Sequence, residues 1–128
     1  MSESALPPAT TVLVVDDQPQ LLSLLQDFLT DCGFLVLAAP NGSAAEQVAA
    51  NHADAIDLLI TDIDMPDGDG LSLAQKLRIQ RPAMAIIYMS GNLKVLRQSS
   101  IEITLGSIFL EKPVAFAELR TAISTLLR

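Results

Sequence analysis

The stretch Leu58-Leu-Ile-Thr-Asp-Ile-Asp-Met-Pro-Asp-Gly-Asp-Gly70 decides how the rest of the chain is interpreted. It begins with an apolar run typical of a buried strand, and Asp62 follows where that strand is predicted to end. Pro66 has no backbone N–H and therefore ends an extended ladder. The turn residues that follow favour a helix starting near Leu71, with Asp69 as its cap. A carboxylate at the C-terminal end of such a strand lies where open α/β sheets bind ligands, so Asp62 becomes the centre of a candidate site.

Four further apolar segments predict strands, at residues 12–15, 34–38, 83–89 and 108–110. Helical apolar spacing follows each predicted strand, although over residues 92–105 it is weak. Within the second helix, Ser43 followed by Glu46 predicts a capping box. The strand–helix alternation, repeated five times, predicts an α/β fold of (βα)5 type, whose parallel sheet is covered by helices on both faces. We expect residues 1–10 to form a disordered tail and residues 11–128 to form one domain.

Composition narrows the classes of function. The net charge is -7, which argues against direct binding to nucleic acid because such binding depends on basic contacts to phosphate. The chain has one cysteine and one histidine, so an internal disulfide, a cysteine-based zinc site and a histidine-rich metal site are excluded. No apolar run approaches the ~20 residues of a membrane span, and the N-terminal residues do not resemble a signal peptide. These features predict a cytoplasmic protein.

Polar residues directly follow the predicted strands. Asp16 and Asp17 follow the first strand, Asp62 the third, Ser90 the fourth and Lys112 the fifth. Because all strands of a parallel sheet end at the same edge, we expect these side chains to converge.

The chemistry of this group indicates phosphoryl transfer. Several carboxylates within a few Å cannot all stay ionised without compensation, and Mg²⁺ prefers such oxygen ligands. The ammonium group of Lys112 and the hydroxyl group of Ser90 suit the oxygens of a phosphoryl group. A carboxylate can attack phosphorus to form an aspartyl phosphate, and Asp62 lies between the acidic pair and the Ser–Lys side. We therefore predict Asp62 as the nucleophile.

The same residues resemble the receiver domain of two-component response regulators over residues 11–128. Asp16-Asp17 resembles the family's acidic pair, and the segment from Asp62 to Gly70 resembles the surroundings of its phosphorylated aspartate. Ser90-Gly91 and Lys112-Pro113 resemble its hydroxyl–small and lysine–proline pairs. The resemblance implies a flavodoxin-like, doubly wound sheet with strand order 2-1-3-4-5.

The resemblance also implies a phosphorelay function. Asp62 would accept a phosphoryl group from a sensor histidine kinase or a histidine phosphotransfer protein. Asp17, Asp62 and the backbone carbonyl of Asp64 would hold Mg²⁺, with Asp16 helping directly or through water. Ser90 and Lys112 would bind the phosphoryl oxygens. The chain would then act on an unknown downstream protein, which makes it a signalling protein rather than a turnover enzyme.

A conformational switch is implied as well. Ser90 would move toward the phosphate, and Phe109, at the aromatic switch position, would turn inward. This would reshape the face formed by the fourth helix, the fifth strand and the fifth helix. The Lys112-Pro113 bond is expected to be cis, as in the family.

Four positions depart from the family pattern. Ser90 replaces the more frequent threonine, Phe109 lacks a hydroxyl, and Asp64 adds a negative side chain beside Asp62. A fourth, Ala115, stands where a capping residue is expected, at a cost of about 1 kcal/mol.

Two other functions stay open. One is a receiver fold that only docks to partners and is not regulated by phosphorylation. The other is an aspartate-nucleophile phosphatase, because Asp62-Ile-Asp64 also resembles the Asp-x-Asp of haloacid dehalogenase-like enzymes. Those enzymes carry the motif after their first strand and need a longer chain, which disfavours the phosphatase function. A Ca²⁺ loop fails because Met65 and Lys76 would occupy positions that require carboxylates.

Overall fold

The computed structural model describes residues 9–66, 70–91 and 106–127. Five parallel strands form one sheet in the order β2-β1-β3-β4-β5. They are β1 (Thr11–Val15), β2 (Leu35–Ala39), β3 (Leu58–Asp62), β4 (Ala85–Ser90) and β5 (Ser107–Glu111). This topology confirms the parallel sheet that the sequence pattern predicts and the flavodoxin-like, doubly wound order that the resemblance implies.

Four helices lie in the described part of the chain. Helices α1 (Pro19–Asp31), α2 (Gly42–Asn51) and α3 (Gly70–Gln80) follow the first three strands, and the last helix, Phe116–Leu126, follows β5. The helix predicted over residues 92–105, the Asp69 cap and residues 1–8 of the predicted tail lie outside the described residues. None of the described helices has the length and apolar character needed to cross a membrane.

The two faces of the sheet bury separate hydrophobic layers. Along β1, Leu13 and Val15 pack in the layer that contains residues of α2 and α3. Val12 and Val14 pack in the layer that contains residues of α1 and the last helix. All four side chains are fully buried, as expected of a central strand that is covered on both faces. This packing fixes where β1 ends and therefore where the acidic pair begins.

Two local predictions are wrong in detail. The N-cap of α2 is Asn41, whose Oδ1 accepts a hydrogen bond from the Ala44 N–H at 2.8 Å, so Ser43 lies within the first turn and the predicted capping box is not used. The fourth strand begins at Ala85 rather than at residue 83. The Met84 N–H donates to the Arg81 carbonyl, and this turn delays the start of strand pairing.

The start of the last helix agrees with the sequence. Ala115 occupies the N-cap position and provides no side-chain hydrogen bond to the first turn. The first turn of this helix is therefore capped less well than that of α2.

Candidate functional site

The predicted site residues lie at the edge of the sheet where the parallel strands end. Asp62 is the last residue of β3 and Ser90 the last residue of β4. Asp16 directly follows β1, and Lys112 directly follows β5. The Lys112 N–H donates to the Ser90 carbonyl at 2.8 Å, which joins the ends of β4 and β5. The predicted convergence is thus confirmed by the geometry.

Asp62 is held at both carboxylate oxygens. Its Oδ2 accepts a hydrogen bond from Lys112 Nζ at 2.9 Å, and its Oδ1 accepts one from the Asp64 N–H at 2.9 Å. The residue is only 2% exposed. Its carboxylate is consequently fixed in orientation at the rim of the sheet.

Asp16 is completely buried and shares the same cation. Its Oδ2 accepts a hydrogen bond from Lys112 Nζ at 3.1 Å, and its Oδ1 accepts one from the Gln18 N–H at 2.8 Å. The ammonium group of Lys112 therefore bridges Asp16 and Asp62. A buried carboxylate needs such partners because burial alone disfavours its charged form.

The pKa values reflect this balance between burial and pairing. Burial raises the pKa of Asp16 above 3.8, and its hydrogen bonds from Gln18 and Lys112 offset this only in part. Burial acts to lower the pKa of Lys112, but hydrogen bonds to Asp62 and Asp16 outweigh it, so the pKa of Lys112 rises. Ionised Asp16 is therefore less favourable in the folded chain than in water, whereas protonated Lys112 is more favourable.

The acidic residues fit a hard divalent cation. Carboxylate oxygens of Asp16, Asp17 and Asp62 lie within 4.8 Å of one another, and Asp17 is exposed to solvent. Lys112 pairs with two of these three carboxylates, which leaves an excess of negative charge in this cluster. Oxygen ligands with open access to water are what Mg²⁺ prefers. The residues present therefore suit the predicted ion.

Ser90 is buried, and its hydroxyl group donates to Asp64 Oδ2 at 3.0 Å. The Gly91 N–H donates to the same oxygen at 3.2 Å. The side chain of Asp64 thus connects the segment after β3 to the end of β4, although Asp64 itself is exposed.

Phe109 lies in β5 and is half-buried. Its ring stacks on that of Tyr88, with centroids 4.8 Å apart and an interplanar angle of 18°. The two residues are register partners in β4 and β5. The Lys112-Pro113 bond that follows β5 is cis, as the resemblance implied.

Two features of the site were missed in the sequence. The first is the carboxylate of Asp64, which was expected to contribute only a backbone carbonyl and a nearby negative charge. The second is Gly70, where an added Cβ would collide with the backbone oxygen of Asp62 and lie 2.7 Å from Thr61 Oγ1. The Asp-x-Asp spacing was a usable signal for the first feature, whereas Gly70 looked like an ordinary turn glycine.

Comparison with known proteins supports the resemblance to receiver domains of response regulators. The chain is 30% identical over 118 residues to a probable transcriptional regulatory protein, TcrX, of Mycobacterium tuberculosis, covering 92% of this chain and 50% of that protein. It is 41% identical over 83 residues to the transcriptional regulatory protein AruR of Pseudomonas aeruginosa, covering 62% of this chain and 34% of that protein. The chain thus spans half or less of the length of these two relatives.

Solved structures agree with this assignment. A response regulator receiver protein from Sinorhizobium medicae is 39% identical, with a TM-score of 0.80 and coverage of 94% of this chain and 95% of that one. The receiver domain of the hybrid histidine kinase CckA is 30% identical, with a TM-score of 0.77 and coverage of 92% and 99%. The family model described as the response regulator receiver domain matches residues 12–124. The chain therefore belongs to the receiver domain family of two-component response regulators.

Proposed function

We propose that this receiver domain accepts a phosphoryl group on Asp62 in an Mg²⁺-dependent phosphorelay. The observation that carries the proposal is the setting of the Asp62 carboxylate. It is held by Lys112 Nζ and the Asp64 N–H, and it lies within 4.8 Å of carboxylate oxygens of Asp16 and Asp17. This combination of a fixed carboxylate, a cation and an acidic pair suits an aspartyl nucleophile.

The residues divide the chemistry among them. Asp16, Asp17, Asp62 and the backbone carbonyl of Asp64 would hold Mg²⁺, which when bound neutralises charge on the phosphoryl oxygens. In the transfer, a carboxylate oxygen of Asp62 forms a bond to phosphorus, while the bond between phosphorus and the donor's imidazole nitrogen breaks. Lys112 contacts Asp62 directly and is therefore placed to bind a phosphoryl oxygen, together with Ser90.

The donor in this proposal is a phosphohistidine of a sensor histidine kinase or a histidine phosphotransfer protein, and the encounter takes place in the cytoplasm. Membership of the receiver family supports a donor of this kind. The output is a change at Ser90 and Phe109 that alters the face around β5 for a downstream protein. The position of Phe109 beside β4 supports this output, because the two strands are paired up to Ser90 and Glu111.

The test is the intact mass of the chain after incubation with acetyl phosphate and Mg²⁺. We expect a gain of one phosphoryl group that disappears in Asp62→Ala and on addition of EDTA. Asp54→Asn is a matched control, because Asp54 is an exposed aspartate that precedes the start of β3, whereas Asp62 ends that strand. This variant should be phosphorylated normally. The absence of any gain, both with acetyl phosphate and with a cognate phosphohistidine protein, would contradict the proposal and favour a docking module.

A further inference from the structure

The carboxylate of Asp64 occupies two hydrogen-bond donors at the end of β4. One oxygen, Oδ2, accepts from both the Ser90 hydroxyl group and the Gly91 N–H, at 3.0 and 3.2 Å. At its backbone, Asp64 donates to Asp62 Oδ1 at 2.9 Å. A single residue therefore contacts the candidate acceptor carboxylate on one side and the end of β4 on the other.

The two donors have a second use if Asp62 is phosphorylated. A phosphoryl group on Asp62 would bring further anionic oxygens to the side of the site where Asp64 and Ser90 meet. Carboxylate and phosphoryl oxygens are acceptors of the same kind, and both form charge-assisted hydrogen bonds with hydroxyl and amide donors. A serine hydroxyl has one proton to donate, so Ser90 cannot serve both anions at once.

We propose that the Asp64 carboxylate is a resting-state competitor of the phosphoryl group for Ser90 and Gly91. This inference deepens the proposed function and rests on it. In the resting chain Asp64 holds both donors, and phosphorylation of Asp62 requires them to leave Asp64. Asp64 is therefore a positioning residue, which acts on the reacting group through Ser90 and Gly91.

Two contributions act in the same direction. Release of the donors costs the hydrogen bonds to Asp64, and the negative charge of Asp64 also disfavours a second anion nearby. Both contributions oppose the phosphorylated state relative to the resting state. Removal of the Asp64 side chain is therefore expected to favour binding of a phosphoryl group or of an anion that imitates one.

The test uses beryllofluoride, which mimics a phosphoryl group on a carboxylate, titrated against the folded chain in the presence of Mg²⁺. We expect Asp64→Ala to bind it about tenfold more tightly than the parent, because both hydrogen bonds and the charge are lost. Asp64→Asn keeps an acceptor oxygen but not the charge, so its gain should be smaller, about threefold. Asp54→Asn, an exposed aspartate away from the site, should bind like the parent.

A double variant and a second ligand sharpen the test. In a Ser90→Ala background, Asp64→Ala should give a smaller gain than in the parent, because one of the two contested donors is already absent. Affinity for Mg²⁺ alone should change less than affinity for beryllofluoride, since the expected ion ligand at this position is the backbone carbonyl.

Several results would overturn the inference. Equal gains in Asp64→Ala and Asp64→Asn would assign the effect to charge alone, and unchanged or weaker binding in Asp64→Ala would exclude competition. The proposed function is contradicted by a different result, namely that the parent chain itself binds neither beryllofluoride nor Mg²⁺. If the parent chain binds both beryllofluoride and Mg²⁺ but the Asp64 variants bind beryllofluoride no more tightly, only the competition by Asp64 is contradicted.

Discussion

The two edges of the sheet differ in whether their charged side chains also pair with one another. At the amino edge, where the strands begin, charged side chains bind backbone groups. Arg81 donates to the carbonyls of Ala49, His52 and Asp54 at 2.8 to 3.0 Å. At the carboxyl edge, where the strands end, Asp16 and Asp62 instead share Lys112, and Asp17 adds further negative charge.

The amino edge repeats this pattern in other residues. Arg78 donates to the carbonyls of Met84 and Gly106, and the Asp57 carboxylate accepts from the Thr11 N–H at 2.8 Å. Such bonds satisfy backbone groups that the ends of strands and helices leave without partners.

The comparison indicates that charged residues at the amino edge serve the stability of the fold and those at the carboxyl edge serve the site. Charge at the amino edge completes the hydrogen bonding of the fold, whereas the carboxylates at the carboxyl edge outnumber the ammonium group of Lys112 that pairs with two of them, which leaves net negative charge for a ligand. We therefore expect substitutions at the amino edge to change the free energy of unfolding and leave phosphorylation intact. Substitutions of the charged residues at the carboxyl edge should do the reverse. Of the five predictions below, those for Arg81 and Asp16 test that division.

The largest effect on stability is expected for Arg81→Ala. This change removes three hydrogen bonds to backbone carbonyls, and we expect the free energy of unfolding to fall by about 3 kcal/mol, measured by urea denaturation. Arg81→Lys keeps the charge but not the fork of donors, so it should recover only part of the loss. The extent of phosphorylation of the folded variant should equal that of the parent. A loss below about 1 kcal/mol would contradict the structural role of this edge.

Gly70→Ala should be the next largest change, and it affects both stability and the site. The new Cβ would collide with the backbone oxygen of Asp62, so we expect a loss of about 2 kcal/mol and slower phosphorylation by acetyl phosphate. Gly42→Ala is the matched control, because a Cβ there meets nothing within 4 Å. Equal stability of the two variants would show that the backbone around Asp62 and Gly70 shifts to accommodate the added Cβ at little cost.

Asp16→Asn should weaken Mg²⁺ binding with little harm to the fold. Loss of one carboxylate from the cluster is expected to lower Mg²⁺ affinity at least tenfold, or about 1.4 kcal/mol, as measured by isothermal titration calorimetry. Asp54→Asn should bind Mg²⁺ as the parent does. Unchanged Mg²⁺ affinity in Asp16→Asn would show that Asp16 is not a ligand of the ion.

The same variant gives a pH dependence of known sign. Burial raises the pKa of Asp16 above 3.8, so the folded chain binds this proton more tightly than the unfolded chain. As pH rises from 3.8 through the folded pKa, ionisation of Asp16 lowers the stability of the parent. In EDTA, the stability of Asp16→Asn relative to the parent should therefore increase from about pH 4 to pH 7. A difference that decreases over this range would contradict the raised pKa.

The smallest effect is expected for Ala115→Ser at the N-cap of the last helix. A serine hydroxyl can accept a hydrogen bond from the first turn, and we expect a gain of about 1 kcal/mol in unfolding free energy. Ala117→Ser, placed within the first turn and exposed, should give no such gain. Phosphorylation should be the same in both variants. Equal stabilities would mean that the helix start is already satisfied in another way.

The positions of the site residues were predictable because strand direction settles them. Apolar runs located β1, β3, β4 and β5, and a parallel sheet brings the residues after each strand to one edge. The sequence alone therefore indicates that Asp16, Asp62, Ser90 and Lys112 are neighbours. Residues 92–105 and 67–69 are outside the described structure, so the predictions for them stay open.

Other features depended on tertiary contacts that no local pattern contains. The hydrogen bond from Ser90 to Asp64 joins residues 26 positions apart, and it forms only because β3 and β4 are neighbours. The need for glycine at position 70 arises from the close approach of α3 to the end of β3. The cap of α2 was misjudged for a local reason, since Asn41 and Ser43 are both good caps and sequence alone does not rank them.

The stack of Tyr88 on Phe109 has a practical consequence for spectroscopy. The chain contains one tyrosine and no tryptophan, so a single ring, that of Tyr88, dominates its intrinsic fluorescence over the weak emission of phenylalanine. Tyr88 is 8% exposed, and burial raises its pKa above the ordinary value of 10, so the phenol is un-ionised at neutral pH. Its stacking partner is Phe109, with ring centroids 4.8 Å apart. Rotation of Phe109 would alter the emission of Tyr88, so the domain carries a built-in optical reporter of motion at β5.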